Sequence, residues 1–213
     1  YAIVSFVHTF RRYGLGVALL SMFSTRIVLP LLLVGSINLV RLALNFVEPQ
    51  RVGIVISVTS RAGIRDQPVQ PGLHWIIPFL EKVVEYPTYW QTYTMSGKPL
   101  EGNVRGNDAI RARTSDGQAV FLDCSLIFRV DAEQVVRIHL DWQNRYVDDL
   151  IRPVVRGFVR TQVSQFTVNE VNSNKRGDLE ATLDRLLKDE LNEKGLLLDQ
   201  FLLRDITFSP QFA

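Results

Sequence analysis

The side chains that could do chemistry in this chain are few and widely spaced. The three histidines are His8, His74 and His139, and no H-x-x-x-H or H-E-x-x-H spacing would place two of them on one helix face. Asp148 and Asp149 are adjacent carboxylates, but neighbouring helix positions point in different directions, so we interpret them as part of a solvated face. The sequence therefore predicts no metal site and disfavours a paired-carboxylate acid–base site.

Patterns that activate a nucleophile or cradle a phosphate are also missing. Neither a Ser-x-x-Lys nor a G-x-S-x-G element occurs, and the glycine-containing segment 102–106 is not followed by the lysine and helix of a phosphate-binding loop. The single cysteine, Cys124, excludes an intramolecular disulfide framework and is most simply a small core residue. We therefore expect a protein that is not an enzyme and that uses no cofactor.

Charge gives little support for a nucleic-acid partner. The net charge is +2, and the 22% of charged residues mix both signs along the chain. A nucleic-acid surface needs a concentrated basic patch or stripe, and this composition does not predict one. We therefore expect no nucleic-acid partner.

An apolar run over residues 27–47 predicts a transmembrane helix. About 21 helical residues span roughly 31 Å, the thickness of the hydrocarbon core of a bilayer. Residues 1–26 mix aromatics and arginines and predict an interfacial membrane segment, although a re-entrant hairpin bending near Pro30 or Gly35 is an alternative. Arg41 lies near the end of the run, where its side chain can reach the lipid headgroups. Flanking arginines are nearly balanced and weakly favour a body on the non-cytoplasmic face of a single-pass protein.

Large apolar residues follow a Pro-Gly turn shortly after this run. Trp75, Ile76, Ile77 and Phe79 are either a core strand or a loop pressed into the nearby leaflet, with Trp75 at headgroup depth. Both interpretations stay open at the level of sequence. On the second one, these four residues and Arg41 are the membrane contacts.

Turn and periodicity signals divide the rest of the chain into strands. Residues 52–59, 82–89 and 92–95 favour extended structure. Asp116-Gly117 lies between extended runs over 109–114 and 118–130 and predicts a hairpin with a two-residue turn. In the second run apolar side chains alternate on one buried face that includes Cys124.

Helical signals dominate after residue 130. Asp131 with Gln134 predicts the start of a short helix, and Thr167 with Glu170 forms a capping box for another. Between them a 3.6-residue apolar period predicts a helix over 147–163, kinked by Pro153, while Gly195 caps a later helix. A final strand over 196–208 completes the order β, β, β, α, α, β, which predicts an α+β body.

Several motifs occur in one order behind the apolar run and together resemble the SPFH, or band-7, superfamily of stomatins, prohibitins and flotillins. They are Glu48-Pro49-Gln50-Arg51-Val52-Gly53, Pro71-Gly72-Leu73-His74-Trp75-Ile76-Ile77-Pro78-Phe79, Tyr93-Thr94-Met95, Thr114-Ser115-Asp116-Gly117-Gln118, Ile151-Arg152-Pro153-Val154-Val155-Arg156, Lys175-Arg176 and Leu203-Arg204-Asp205-Ile206-Thr207-Phe208-Ser209-Pro210. Palmitoylated cysteines have no counterpart here, so the chain looks more prohibitin-like than flotillin-like or stomatin-like.

The resemblance implies a domain over residues 48–210 made of two small α+β lobes. The sheet-rich lobe is expected over about 48–130 and the helix-rich lobe over about 131–210. In this superfamily a long coiled-coil helix follows, so we expect the natural protein to continue beyond a fragment that ends just before it. The implied function is a non-catalytic membrane scaffold that forms a homo-oligomeric ring or cage, organises a lipid microdomain and regulates a membrane protease or channel.

Contacts between copies are predicted on the mixed-charge helix that follows residue 174. Alternating charges can pair with those of a neighbour, and many weak pairs can hold a ring whose members are confined to a membrane. The residues we assign to this contact are Lys175, Arg176, Glu180, Arg185, Lys188 and Glu190. The rival interpretation is a membrane-bound hydrolase or an accessory subunit of a membrane protease, whereas a channel subunit lacks the polar residues needed to line a pore.

Overall fold

The computed structural model describes residues 25–208 except Asn174, together with position 7. The strands are β1 Leu44–Val47, β2 Arg51–Ser57, β3 Gly72–Trp75, β4 Glu81–Pro87, β5 Gln91–Met95, β6 Ile110–Arg113, β7 Ala119–Val130 and β8 Leu196–Phe208. The α-helices are α1 Thr25–Ala43, α2 Val135–Asp141, α3 Arg152–Val163, α4 Val168–Asn172 and α5 Arg176–Glu193. This content confirms the α+β class. The interfacial segment predicted over residues 1–26 lies almost wholly outside the described residues.

The apolar run predicted as one helix over 27–47 is divided between two elements. Helix α1 ends at Ala43, and the next four residues form strand β1, which pairs antiparallel with β3. The strand is favoured over the helix there because β3 forms hydrogen bonds with the backbone of these residues and because Val47 is completely buried. The prediction was therefore wrong for 44–47. Among the described residues, no helix combines the length and apolar character needed to cross a membrane.

Strands β2 and β4 form a second antiparallel ladder in register from Arg51 with Pro87 to Ser57 with Glu81. Val52 and Ile54 of β2 are buried in the hydrophobic core, as is Tyr86 of β4. The outer edge of β2 is covered by its own following loop, since Gly53 and Val69 exchange two backbone hydrogen bonds of 2.8 and 2.7 Å. Strand β1 contacts β2, so this ladder adjoins the β1–β3 pair.

The largest sheet is built around the long strand β7. Strand β8 pairs with one side of β7 along residues 120–130, while β6 and β5 pair with successive halves of the other side. Helices α3 and α5 pack against each other, and each supplies a buried stripe to the core. Those stripes are Val155, Val159 and Val163 from α3 and Leu179, Leu183, Leu187 and Leu191 from α5. The alternating face predicted for β7 is confirmed, with Cys124 fully buried.

The hairpin between β6 and β7 differs from the prediction by one residue. Thr114 donates its backbone N–H to the carbonyl of Gln118 at 3.0 Å, so the loop between this pair has three residues. Gly117 has φ +82°, the left-handed conformation that closes such a loop with a bulge. The turn residues were thus correct, but the predicted two-residue length was wrong.

The predicted helix over 147–163 is two segments joined without a break in the chain. A wide π-helical turn over Tyr146–Ile151 leads into α3, and Pro153 lies in the first turn of α3 instead of kinking its middle. Proline is tolerated in the first turn of an α-helix, and here the wide turn before it ends with the Arg152 N–H bonded to the carbonyl of Val147. The capping box of Thr167 and Glu170 is confirmed and opens the short helix α4.

Replacing Gly195 should destabilise the fold, because this residue ends α5 in a conformation that other residues adopt poorly. Its φ is +86°, and an added Cβ would lie 3.0 Å from the Cβ of Gln134 and 3.2 Å from Ile138. We expect Gly195→Ala to lower the free energy of unfolding in urea by about 2 kcal/mol, from left-handed strain plus crowding. Gly157→Ala is the matched control: a Cβ there meets nothing within 4 Å, so helix propensity should raise stability by about 0.5–1 kcal/mol. Equal effects of the two variants would contradict this account.

A hydrogen bond joins strand β4 to helix α2 and should make stability depend on pH. The Tyr86 hydroxyl lies 2.6 Å from Nδ1 of His139, which accepts it when the imidazole is neutral. Burial lowers the pKa of His139 below 6.5 and raises that of Tyr86 to about 12. Because the unfolded chain then binds the proton more readily, the contribution of His139 is present above pH 6.5 and is lost as pH falls.

The measurement is urea unfolding between pH 8 and pH 5. We expect the wild-type protein to lose stability toward pH 5 more steeply than His139→Gln, which has no imidazole to protonate. Parallel pH profiles for the two proteins would show that His139 does not contribute to the pH dependence.

Candidate membrane-contact and assembly surfaces

One face of the β1–β3 ribbon carries only large apolar side chains, and all of them are exposed. Residues directly opposite in antiparallel strands share a face, and here Leu44 is opposite Trp75 while Phe46 is opposite Leu73. Phe46, Leu73 and Trp75 expose 59%, 63% and 60% of their surface. The sequence analysis missed Leu44, Phe46 and Leu73. Their signal was the alternation of apolar residues at 44 and 46 and at 73 and 75.

The other face and the end of the ribbon attach it to the body. Val47 is fully buried, and the backbone N–H of Ile76 donates to the carbonyl of Ala43 at 2.8 Å. Ile76 itself is only 8% exposed. We predicted Ile76 as a membrane contact, and the structure corrects this, because the alternation of the strand turns its side chain inward while Trp75 and Ile77 face outward.

The turn after β3 presents a second group of apolar side chains. Phe79 is 87% exposed and has φ +67°, a left-handed conformation that is unfavourable for an aromatic residue. Ile77 and Leu80 are also exposed. A strained, fully exposed phenylalanine has no packing role within the described chain, which points to a function at its surface.

An ion pair holds this turn in place. Arg65 donates to both carboxylate oxygens of Glu81 at 2.7 and 2.8 Å, and Glu81 also accepts the backbone N–H of Ile77 at 2.9 Å. Desolvation raises the pKa of Glu81, but the Ile77 N–H and the Arg65 guanidinium outweigh it and hold that pKa below its ordinary value. Since Glu81 stays ionised at neutral pH, the turn keeps a fixed shape.

Helix α1 continues this apolar area directly into β1. Its exposed apolar residues are Leu29, Leu31, Leu32, Leu33, Val34, Ile37, Leu39, Val40 and Leu42. Arg41 is exposed in its last turn, next to the ribbon. We call the exposed apolar residues of α1 together with Leu44, Phe46, Leu73, Trp75, Ile77, Phe79 and Leu80 the apolar surface.

The residues predicted to contact neighbouring copies lie on and just before α5, but several of them bind within the chain. Arg176 donates to the carbonyls of Leu203 and Arg204 at 2.8 Å each, and Glu180 accepts the N–H of Leu203 at 3.3 Å. These are the backbone groups on the edge of β8 that faces away from β7. Arg176 and Glu180 therefore shield that edge from pairing with another strand.

The remaining predicted contact residues are at least partly exposed. Lys175 pairs with Glu170, Lys188 pairs with Asp184 at 2.8 Å, and Glu190 pairs with Lys194 at 3.2 Å. Arg185 is exposed and forms no ion pair within the part of the chain that the structure describes. Partly exposed helical pairs are weak, so these groups are free to exchange partners with a neighbour at little cost.

A buried carboxylate that the sequence analysis missed ties α3 to the edge of β6. Asp108 is 3% exposed and accepts hydrogen bonds from Arg152 and, at 2.6 Å, from Arg156. Arg156 also reaches the Asp108 carbonyl, and Arg160 donates to the carbonyl of Arg111 at 3.1 Å. The available signal was the spacing of the arginines by four residues, which puts them on one stripe of α3.

The described residues show no arrangement suited to metal or thiol chemistry. No group of three or more His, Cys, Asp or Glu side chains in that part of the chain could hold a metal ion. Burial, with the nearby Asp123 carboxylate, raises the pKa of the Cys124 thiol to about 12, so this thiol is protonated and inaccessible.

Comparison with known proteins defines the class. Residues 45–213 match the SPFH domain / Band 7 family, and the chain belongs to that family. It is similar to prohibitin-2 of Schizosaccharomyces pombe, with 23% identity over 162 residues that cover 74% of this chain and 50% of the relative. Prohibitin 1 of Mus musculus is 23% identical over 155 residues, covering 71% and 50%, and prohibitin-1 of Saccharomyces cerevisiae is 23% identical over 151 residues, covering 71% and 48%. The chain spans about half the length of these relatives.

Proposed function

We propose that this protein is a non-catalytic scaffold that is held on a membrane by its apolar surface and assembles with copies of itself. The observation that carries the proposal is the continuity of that surface from α1 through the β1–β3 ribbon to Phe79. Exposed apolar patches of this extent are rare on monomeric soluble proteins and are typical of membrane or protein contacts. Membership of the SPFH family and similarity to prohibitins support the same conclusion.

In the proposed arrangement α1 enters the bilayer and the ribbon lies at the lipid headgroups. Trp75 has an amphipathic ring suited to that depth, and Arg41 can extend its guanidinium to the phosphate groups. The turn of Ile77 and Phe79, fixed by Glu81 and Arg65, forms the second contact. The body then occupies a defined height above the membrane, and we propose the non-cytoplasmic side for it.

Labelling of single cysteines tests the contact directly. Since Cys124 is buried and its thiol protonated, a cysteine introduced at position 79 is the reactive one and can carry an environment-sensitive dye. We expect blue-shifted emission from Phe79→Cys in the full chain reconstituted in vesicles. Leu100→Cys is the control, because Leu100 is 99% exposed on the loop between β5 and β6 and its dye should report water. Aqueous emission from both positions would refute the contact.

We propose further that copies assemble into a ring or cage that organises a lipid microdomain and regulates a membrane protease or channel. The many weak charge pairs of α5 become effective because the membrane confines the copies to two dimensions. Mass photometry of the full-length protein extracted in mild detergent is the test, and we expect particles of many copies. A strictly monomeric particle across the accessible concentration range would end the proposal.

A further inference from the structure

The two edges of the large sheet carry opposite charge. Strands β6 and β8 lie on opposite sides of β7, and each is bordered by its own helix. Helix α3, beside β6, contains three arginines and no acidic residue. Helix α5, beside β8, contains more acidic than basic residues. Arg185 of α5 is also exposed, but the helix has six acidic and three basic residues and is acidic on balance. We call Arg152, Arg156 and Arg160 the basic edge, and the exposed acidic residues of α5, Asp178, Asp189 and Glu193, the acidic edge.

Both edges carry charged side chains that form no ion pair within the described part of the chain. Asp178, Asp189 and Glu193 are exposed and form no ion pair within the described ranges. Arg160 is exposed, and its guanidinium binds a backbone carbonyl, so its charge is not neutralised there. The basic edge borders an open groove of about 370 Å³, which is lined by the three arginines and one carboxylate, that of Asp148, and is large enough to receive carboxylate side chains.

The backbone at these edges is already occupied, which restricts how two copies can meet. On β8 the N–H groups of Phe201 and Leu203 donate to Asp184 and Glu180 of α5. On the β6 side the carbonyls of Asp108 and Arg111 accept from arginines of α3. Side-chain contacts are therefore favoured over strand pairing at both edges.

We propose that the basic edge of one copy binds the acidic edge of a second copy of this chain. The two edges lie on opposite sides of one sheet, so each copy offers both halves of the contact, and the contact repeats head to tail. A heterologous contact of this kind closes into a ring when its rotation permits. This inference rests on the proposed assembly and assigns its lateral interface, which the sequence analysis had placed on α5 alone.

Charge reversal at each edge tests the pairing in the full chain. In the proposed contact Arg160→Glu places a negative charge opposite Asp189 of the second copy. Asp189→Arg places a positive charge opposite Arg160 of the second copy. We expect each variant alone to raise the concentration at which the assembly dissociates by at least about tenfold, measured by mass photometry. Both residues are exposed, but Arg160→Glu also removes the hydrogen bond to the carbonyl of Arg111. The melting temperature of each variant is therefore measured beside its assembly, and Asp189→Arg tests the contact without loss of that hydrogen bond. Arg137→Glu is the control, since it makes the same charge change on α2, where Arg137 is exposed and pairs with Asp141.

Mixing the two variants gives the decisive result. In an equimolar mixture Glu at position 160 meets Arg at 189, and the unchanged edges also match, so alternating copies should restore the assembly. A mixture that stays dissociated, or an Arg160→Glu variant that assembles like wild type, would overturn the interface while leaving the scaffold in place. An equal effect of Arg137→Glu would also overturn it. If wild type itself is monomeric, the proposed function fails, and the interface fails with it.

Discussion

Asp108→Ala should lower the free energy of unfolding by about 3 kcal/mol. The substitution removes a buried carboxylate and leaves Arg152 and Arg156 facing each other without a counter-charge. Breaking a buried pair in this way costs about 3–5 kcal/mol, and the lower end applies because the two arginine side chains keep 33% and 22% exposure. For a domain of this size the melting temperature should fall by roughly 6–12 °C.

Asp148→Ala is the matched control for that experiment. Asp148 lies beside the same arginines but is exposed, so its removal should change stability by less than about 0.5 kcal/mol. Urea denaturation monitored by circular dichroism compares the two variants. Similar losses for both would mean that Asp108 does not act as the shared partner of the arginines. The effect bears on the proposed assembly because the same carboxylate holds Arg152 and Arg156 of the basic edge.

Phe79→Gly should stabilise the body and weaken its contact with the membrane. Phenylalanine at φ +67° costs the folded state about 1–2 kcal/mol, and glycine removes this strain. Glycine also makes the unfolded chain more flexible, which lowers stability by about 0.5–1 kcal/mol. Because the ring is 87% exposed, its removal loses almost no packing. We therefore expect a net gain in the free energy of unfolding of about 0.5–1 kcal/mol. Burial of the ring in lipid is worth about 2 kcal/mol, so the turn should occupy the membrane roughly thirtyfold less.

Quenching of Trp75 by brominated lipids measures this occupancy. Trp90→Phe and Trp142→Phe leave Trp75 as the remaining tryptophan of this 213-residue sequence. In that background Phe79→Gly should lose quenching in vesicles, whereas Leu100→Gly should not, although Leu100 is equally apolar and exposed. Unchanged quenching after Phe79→Gly, or a large loss of stability, would show that the strained turn serves the fold and not the membrane.

Features set by a few neighbouring residues followed from the sequence. The capping box of Thr167 and Glu170, the left-handed Gly195 and the turn at Gly117 depend on side-chain and backbone preferences that act over three or four positions. The buried face of β7 follows from a period of two. The α+β class was therefore predictable, although the structure has more strands than the sequence predicted.

Features set by distant partners did not follow from the sequence. Residues 44–47 are as apolar as the helix before them, and they form a strand because Gly72–Trp75 supplies hydrogen bonds to their backbone. That pairing also decided which apolar residues face outward, so Ile76 is buried while Trp75 is exposed.

The sequence by itself determined that this protein has an apolar segment joined to a mixed α+β body, and it carried the motifs of the family. Only the tertiary structure decided which charged side chains pair and on which edge of the sheet the others lie. Asp108 meets arginines more than 40 positions away, and α3 and α5 come to lie at opposite edges of one sheet. Local preferences act along the chain, whereas ion pairs and sheet edges depend on which segments meet in space.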